Sequence, residues 1–262
     1  MRALDWLRLP DGCDPAELDS PAAVRRHAEI LRRKSLLRAV YRAWYRRLAQ
    51  SVAEIAPPRV VVELGSGAGF IKQVMPDALA TDVREAEGLD LRASATAMPF
   101  ADGSVDAFVM IDVMHHLPDA AAFLSECRRC LRSGGRVAMI EPANTPLARW
   151  VYRRFHHEAF DPTGGWSLND RGAMAAANGA LPWIVFGRDR RQFERQFPEL
   201  ELRRMTPHSP VRYLLSGGLS MRQLAPGWSF PAVAAVEAML RPLAGLIGMF
   251  YYIELRKVGS RG

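Results

Sequence analysis

The sequence lacks the features that mark secreted and membrane-spanning proteins. Its 262 residues contain three cysteines, too few for a disulfide framework and in keeping with a reducing compartment. No apolar run reaches the roughly 20 residues that cross a bilayer, since the longest candidate, residues 228–253, is interrupted by Glu237, Arg241 and Pro242. Residues 1–10 scatter their charges and lack the apolar core of a signal peptide. We expect a cytoplasmic protein, with peripheral contact at a membrane as a further expectation.

Metal-binding patterns are also scarce. Cys127 and Cys130 form a C-x-x-C pair, a spacing that can serve zinc or redox chemistry. The pair falls within residues 120–131, which have the pattern of a helix, and no second ligand pair follows it. We therefore predict no metal site there and expect both thiols to pack against a sheet, with Cys130 nearer the core.

Lysine is nearly absent, and arginine supplies almost all of the positive charge. The net charge is +7 and the pI is about 9.8. Many arginines lie in residues 21–55, interleaved with leucines and aromatic residues, a pattern that predicts amphipathic helices. Such a surface could attract RNA, an acidic metabolite or an anionic membrane, or it could simply be a solvated helix face.

The most informative segment that is present is VVVELGSGAGF, at residues 60–70. Its apolar start predicts a buried parallel strand, and Gly65, Gly67 and Gly69 allow a tight turn that brings backbone N–H groups close to a ligand. A helix just after the turn would direct its positive end at that ligand. The third glycine comes one residue too early for a dinucleotide fingerprint, and Glu63 would repel a pyrophosphate. A cationic or zwitterionic ligand suits this turn better.

Two further acids follow short apolar runs downstream. Residues 78–82 end in Asp82, whose carboxylate could accept hydrogen bonds from ribose hydroxyls or could cap a helix. Residues 107–112 end in Asp112 and lead into VMHHLPD. Both runs have the length and composition of strands.

Residues 58–142 resemble the class I S-adenosylmethionine (SAM) dependent methyltransferases, especially the methyltransferase type 11 and ubiquinone/menaquinone-biosynthesis-type families. The resemblance rests on the E-x-G-x-G-x-G turn, the acid at Asp82, the passage ATAMPFADGSVDAFVMIDVMHHLPD and the segment LRSGGRVAMIEP, which occur in the family's order. It implies SAM as cofactor, bound by the residues Glu63, Gly65, Ser66, Gly67, Gly69, Asp82, Ser94, Ala95, Thr96 and Asp112. Those families commonly have Asp where this chain has Ser94, so recognition of the adenine would rest on a hydroxyl and neighbouring backbone groups.

The resemblance also implies the fold and its organisation. We predict an α/β, Rossmann-like sheet that is mostly parallel with an antiparallel closing strand. An N-terminal helical cap at 1–57 would precede the SAM-binding core at 58–142. A substrate-side insertion at 143–199 would cover the C-terminal ends of the strands, where open α/β sheets bind their ligands. Residues 200–262 would supply closing strands, at 200–207 and 248–258, and further helices.

Histidines are the candidates for the base that an oxygen acceptor needs. His115 and His116 follow the strand that ends at Asp112, beside the expected methyl group, and His116 is the preferred candidate. Alternatively, the HHLP sequence only packs or caps the next helix. His157 is a third candidate base; with Asp161 it has the i, i+4 spacing of a metal pair, yet adjacent histidines diverge on a regular helix or strand, and we favour no metal.

We therefore predict a SAM-dependent methyltransferase of a small or amphiphilic, lipid-like molecule, with O-methylation slightly preferred over C- or N-methylation. The apolar residues 214–252 and the basic N-terminal helices favour an amphiphilic acceptor, unless they serve only to bury added helices. Weaker candidates for acceptor binding and for the base are Glu141 and His208. An RNA methyltransferase is an alternative, disfavoured because the chain has no RNP-like motif; a non-catalytic SAM-binding protein is another. The residues name neither the acceptor nor an oligomeric state.

Overall fold

A twisted, mostly parallel sheet forms the centre of the molecule. The computed structural model describes residues 5–7, 9, 20–67, 69–156, 158–168 and 177–259. Across these residues the sheet has seven strands in the order β3-β2-β1-β4-β5-β7-β6. The strands are β1 (Val61–Leu64), β2 (Leu79–Asp82), β3 (Leu91–Arg92), β4 (Val105–Ile111), β5 (Leu131–Pro142), β6 (Leu200–His208) and β7 (Phe250–Lys257). His157 and most of residues 1–10 lie outside the described residues.

The direction of the strands confirms the predicted fold class. β7 runs antiparallel to both β5 and β6, and the other described pairs, from β3 through to β5, are parallel. Every residue of β1 and β4 is buried, as expected for parallel strands covered on both faces. The parallel strands therefore bring their C-terminal ends together at one edge of the sheet, where the predicted site residues lie.

Helices cover both faces of the sheet. They are α1 (Pro21–Arg33), α2 (Ser35–Ala53), α3 (Ala120–Cys130), α4 (Pro146–Phe155), α5 (Leu181–Trp183), α6 (Arg190–Gln196), α7 (Pro210–Ser216), α8 (Phe230–Met239) and α9 (Ala244–Ile247). The predicted helices of residues 21–55 correspond to α1 and α2, which separate at Lys34. No described helix has by itself the length and apolar character of a membrane span; the bent pair Gly227–Met239 and Arg241–Ile247 meets that test only as a pair.

The helix expected directly after the glycine turn is not there, so that prediction was wrong. Between Leu64 and Leu79 the described residues contain only a 3₁₀ turn, Ile71–Gln73. The link is too short for more, because the turn itself uses its first residues and Pro76 cannot donate the N–H that a continuing helix requires. A ligand at this turn therefore meets individual backbone groups rather than the end of a helix dipole.

The N-terminal helices belong to the core. Leu36, Leu37 and Leu48 of α2 are fully buried, and the ring of Trp44 packs 4.7 Å from that of Phe250 in β7. In α3, as predicted, the cysteine side chains face inward: both are fully buried and no disulfide joins them.

Candidate active site

The turn after β1 holds two glycines in conformations that other residues avoid. Gly65 has φ +68° and Gly67 has φ +44°, both in the left-handed region that favours glycine. A Cβ atom on Gly65 would lie 2.5 Å from a methyl carbon of Val113. Glycine at position 65 therefore lets the turn after β1 touch the turn after β4.

Glu63 lies beneath this turn rather than on its surface. Its side chain is 2% exposed and accepts hydrogen bonds from the Tyr45 hydroxyl at 2.7 Å and from the Ser66 hydroxyl at 2.6 Å. Burial raises the pKa of Glu63 to about 7, although both hydrogen bonds act to lower it. Glu63 thus ties α2 to the glycine turn. Sequence reasoning missed Tyr45, because nothing in the pattern of a helix tells which buried tyrosine will meet an acid.

Asp82, at the end of β2, accepts hydrogen bonds at both carboxylate oxygens. The N–H of Gly67 donates to Oδ2 at 2.9 Å and the backbone N–H of Arg84 donates to Oδ1 at 2.8 Å. The Arg84 guanidinium lies farther off, at 3.2 and 3.3 Å, beyond the usual 2.7–2.9 Å of a charge-assisted bond. The predicted contact between Asp82 and ribose hydroxyls stays a prediction, and in it those hydroxyls would compete with the guanidinium.

The turn predicted to hold adenine lies next to Asp82. The N–H of Ala93 donates to the carbonyl of Asp82 at 3.0 Å. Ser94 and Thr96 place their hydroxyl oxygens 3.0 Å apart, and Ala95 between them is buried. The ends of β1, β2 and β3 thus offer a carboxylate for a diol, a small polar turn for a base and backbone groups at the glycine turn. This donor set fits SAM, and the individual contacts remain predictions.

A second group of polar residues forms where β4 and β5 end. Asp112 adopts φ +62°, which is rare for a residue with a side chain. A 3₁₀ turn, Met114–His116, follows it. Glu141, fully buried in β5, accepts hydrogen bonds from the backbone N–H of Val113 at 2.9 Å and of Met114 at 2.7 Å. Glu141 therefore positions the histidine turn.

His115 lies between two carboxylates. Its Nδ1 is 2.9 Å from Glu141 Oε2 and its Nε2 is 3.3 Å from Glu158 Oε2. Burial alone would lower the pKa of His115, but the hydrogen bonds to Glu141 and Glu158 raise it well above 6.5. As described, the ring holds its proton at neutral pH and is not in the state of a general base.

His116 has a different environment. Its Nε2 lies 3.6 Å from Glu158 Oε1, and its Nδ1 has no hydrogen-bond partner among the described residues. Burial and then the positive charge of His115 lower the pKa of His116 to about 3. The ring is therefore neutral at physiological pH. The third predicted base, His157, lies outside the described residues.

The segment after α4 covers these histidines. The N–H of Asn178 donates to the carbonyl of His115 at 2.9 Å, and Glu158 supplies the carboxylate that both histidine rings approach. A pocket opens beside Glu158, walled by the rings of Tyr152, Phe160, Tyr213 and Phe250, with Asp112 also in its lining. Sequence reasoning gave Glu158 no role in the site, because its partners are distant in the chain.

His208, the weakest of the predicted bases, lies two strands away from Glu141 at the same edge of the sheet, paired with Phe250 of β7. Its Nδ1 is 2.6 Å from the Ser209 hydroxyl and its ring meets that of Trp44 edge-on at 6.3 Å. Burial lowers the pKa of His208 to about 3. These contacts give it a packing role at the end of β6.

Known proteins match both the core motifs and the fold. A family model described as a methyltransferase domain matches residues 62–139. A probable S-adenosylmethionine-dependent methyltransferase of Mycolicibacterium smegmatis is 34% identical over 129 residues, which are 40% of this chain and 50% of the relative. A demethylmenaquinone methyltransferase of Thermus thermophilus is 30% identical over 152 residues, which are 50% of this chain and 69% of the relative. This chain thus spans about half the length of the mycobacterial relative.

A solved structure extends the likeness beyond the core. The geranyl diphosphate C-methyltransferase of Streptomyces coelicolor A3(2) superposes with a TM-score of 0.53 at 15% identity, covering 85% of this chain and 82% of that one. At that identity the likeness concerns the fold. Because the match to the Thermus enzyme covers more than two thirds of that protein, and because the glycine turn and its acids fit the cofactor, the chain belongs to the class I SAM-dependent methyltransferases.

Proposed function

We propose that the protein transfers a methyl group from SAM to an oxygen atom of a small amphiphilic molecule bound in the pocket beside Glu158. The observation that carries the proposal is the lining of that pocket, where four aromatic rings lie together with Asp112, His156 and Glu158. The cavity measures about 10 Å³, room for about one water molecule, so the proposal requires the rings to move apart when the acceptor binds. Such a lining suits a molecule with an apolar body and a polar end. The solved C-methyltransferase with the similar fold binds geranyl diphosphate, which is itself of this kind.

The chemistry asks mainly for orientation and for removal of a proton. SAM supplies a methyl group already activated on a sulfonium, so holding the acceptor in line accounts for much of the catalysis. Asp112, His156 and Glu158 line the pocket, and we expect the polar end of the acceptor to meet them. His115 and His116 are buried beside Glu158. Of the histidines, His116 is the one whose ring is not bound to Glu141, and it stays the preferred candidate for acting on the acceptor hydroxyl.

An exposed apolar surface supports delivery of the acceptor from a membrane. We call it the α8–α9 surface; its most exposed members are Trp228 (82% exposed), Met239 (79%) and Leu246 (56%). The one charged residue of α8, Glu237, faces inward and is bound by Arg212. Exposed apolar side chains can enter the apolar layer of a membrane, and the net charge of +7 favours anionic lipid. We therefore include peripheral membrane contact in the proposal.

The reaction is tested by transfer of a labelled methyl group. Purified protein is incubated with methyl-labelled SAM and, separately, with a bacterial lipid extract, a polar metabolite extract and total RNA. We expect label in the organic phase of the lipid reaction, and less of it with His116→Ala at unchanged SAM affinity. Label in RNA alone would support a nucleic-acid methyltransferase. SAM binding with no labelled product in any fraction would support a non-catalytic protein.

Membrane contact is tested by sedimentation with vesicles of phosphatidylglycerol and phosphatidylcholine. We expect binding that weakens as the phosphatidylglycerol content falls and that is lost in the double variant Trp228→Ser, Met239→Ser. Leu91→Ser is the control, because Leu91 is also an exposed apolar residue but lies in β3, at the opposite edge of the sheet from β6. Equal binding by the double variant and the control would exclude the α8–α9 surface.

A further inference from the structure

Three histidines converge on one carboxylate at the floor of the pocket. The oxygens of Glu158 lie 3.3 Å from His115 Nε2, 3.6 Å from His116 Nε2 and 3.5 Å from His156 Nδ1. All three distances exceed the 2.7–2.9 Å of a charge-assisted hydrogen bond. Neighbouring ligand atoms around zinc lie about 3.3–3.5 Å apart when the bonds are about 2.0–2.1 Å long and tetrahedral. The distances to His115 and His156, both from Oε2, fall in that range, and the distance to His116, from Oε1, is slightly longer. The distances are compatible with a shared ion as well as with the long hydrogen bond between His115 and Glu158.

The local backbone explains how adjacent histidines can share one ligand. On a regular helix or strand the two side chains would diverge. Here His115 and His116 end a 3₁₀ turn, and their ring centroids lie 4.0 Å apart. The turn therefore aims both Nε2 atoms at the same carboxylate, which the spacing of residues in the sequence could not indicate.

A second carboxylate orients the first histidine. Glu141 lies 2.9 Å from His115 Nδ1 and is itself held by the backbone N–H groups of Val113 and Met114. Binding of an ion would release the Nε2 proton of His115. With Nδ1–H still donated to Glu141, the Nε2 lone pair would then point toward Glu158. A carboxylate that holds the far nitrogen of a histidine is the usual outer support of a metal-binding imidazole.

The charges around the cluster favour a cation. Glu141 and Glu158 are both in contact with His115, and Asp112 Oδ1 lies 3.8 Å from His115 Nδ1. Three carboxylates thus surround rings whose neutral form is the one that binds metals. A divalent ion would offset charges that a single protonated histidine offsets only in part.

We propose that His115 Nε2, His116 Nε2 and Glu158 bind a divalent transition-metal ion, with His156 beside it. Two histidines and a glutamate form a donor set of catalytic zinc sites, which keep one position open, and imidazole also suits iron and nickel. The open position could hold the acceptor oxygen, because Glu158 also lines the pocket. The bound ion would then activate that oxygen in place of His116, whose Nε2 it would occupy. That last role rests on the proposed function, whereas binding of the ion does not.

The site is tested first on the wild-type protein without SAM or acceptor. Untagged protein is stripped with a chelator, dialysed, and titrated with Zn²⁺ against a chromophoric chelator, and bound metal is counted by mass spectrometry. We expect one Zn²⁺ per chain. Loading with Co²⁺ should give the intense visible bands of a four-coordinate site, and Zn²⁺ should displace them. Fewer than about 0.1 Zn²⁺ ions per chain, or Co²⁺ bands as weak as those of an octahedral site, would overturn the inference.

Variants assign the ion to these residues. Glu158→Gln and His116→Ala should lower Zn²⁺ affinity at least a hundredfold, and Glu141→Gln should lower it about ten- to hundredfold because it acts through His115. His27→Ala, which removes a histidine from α1, is the matched control and should bind like wild type. Affinities equal to the control in all three variants would show that the ion binds elsewhere. Metal binding is measured without methyl transfer, so the two proposals can fail separately. If no ion binds, the metal site is excluded and the proposed methyl transfer is unaffected. If an ion binds and no labelled product forms, the metal site is supported and the proposed methyl transfer is not.

Discussion

The two halves of the sheet edge are built in different ways. At the ends of β1 and β2, the polar contacts join residues that are close in sequence: Ser66 reaches Glu63 across 3 positions and Gly67 reaches Asp82 across 15. At the ends of β4 and β5, Glu141 reaches the histidine turn across 26 to 28 positions, and Glu158 comes from beyond α4. We call the ends of β1 and β2 the donor half, because SAM is expected there, and the ends of β4 and β5 the acceptor half. The donor half depends on the left-handed backbone of its glycines as well as on Tyr45 of α2. The acceptor half depends mainly on the side chains of Glu141 and Glu158.

The largest effect should come from the backbone of the donor half. Gly67→Val forces a β-branched residue into φ +44° and pushes its Cβ toward the Arg84 guanidinium. We expect calorimetry to detect no SAM binding, with an unchanged far-UV spectrum. Gly103→Val is the control, because Gly103 has φ +61° and open space around its Cβ. Wild-type affinity in the Gly67 variant would remove the turn from the cofactor site.

In the acceptor half, the substitution with the largest expected effect removes the side chain of Glu141. Glu141→Ala leaves His115 Nδ1 and the N–H groups of Val113 and Met114 without their acceptor. We expect the free energy of unfolding in urea to fall by about 3–5 kcal/mol, as when one partner of a buried pair is removed. Glu54→Ala, at an exposed acid paired with Arg136, should leave it unchanged. A loss as small as that of the control would mean that Glu141 does not hold the turn.

In the donor half, the buried carboxyl group of Glu63 should make the stability of the protein depend on pH. Its folded pKa of about 7 lies above its ordinary 4.5, so it contributes stability below pH 4.5 that is lost as the pH rises through 7, amounting to about 3 kcal/mol. Glu63→Gln should therefore match wild type at pH 4.5 and be more stable at pH 8. Thermal unfolding across this range measures the difference. Glu87→Gln, at an exposed acid, should show none, and a pH-independent effect at Glu63 would contradict the burial argument.

The smallest expected effect is a change in SAM affinity when the Arg84 guanidinium beside Asp82 is removed. Arg84→Ala removes bonds of 3.2 and 3.3 Å that compete with ribose hydroxyls. We expect SAM to bind two- to fivefold more tightly, a gain of about 1 kcal/mol or less. Arg92→Ala, which only breaks a bond to the carbonyl of Val83, is the control. Weaker binding by the Arg84 variant would mean that the guanidinium contacts the cofactor.

The same contrast explains what the sequence could predict. The order of strands, the glycine turn and the acid at Asp82 follow from local patterns, namely apolar runs, turn residues and strand-end acids. The helix after the turn was predicted wrongly, because the link to β2 is short and contains Pro76. Tyr45 and Glu158 were missed as site residues for another reason: each acts through a partner that only the packing of α2 or of the segment after α4 brings near.

The contact between Gly65 and Val113 should couple the binding of SAM to the binding of the acceptor. Because the donor turn and the acceptor turn touch with no room for a side chain between them, neither can shift without displacing the other. Occupancy of one site should therefore alter affinity at the other, and thermodynamic linkage makes that influence equal in both directions. We expect the two substrates of this enzyme to bind interdependently, which calorimetry of S-adenosylhomocysteine with and without the acceptor would measure.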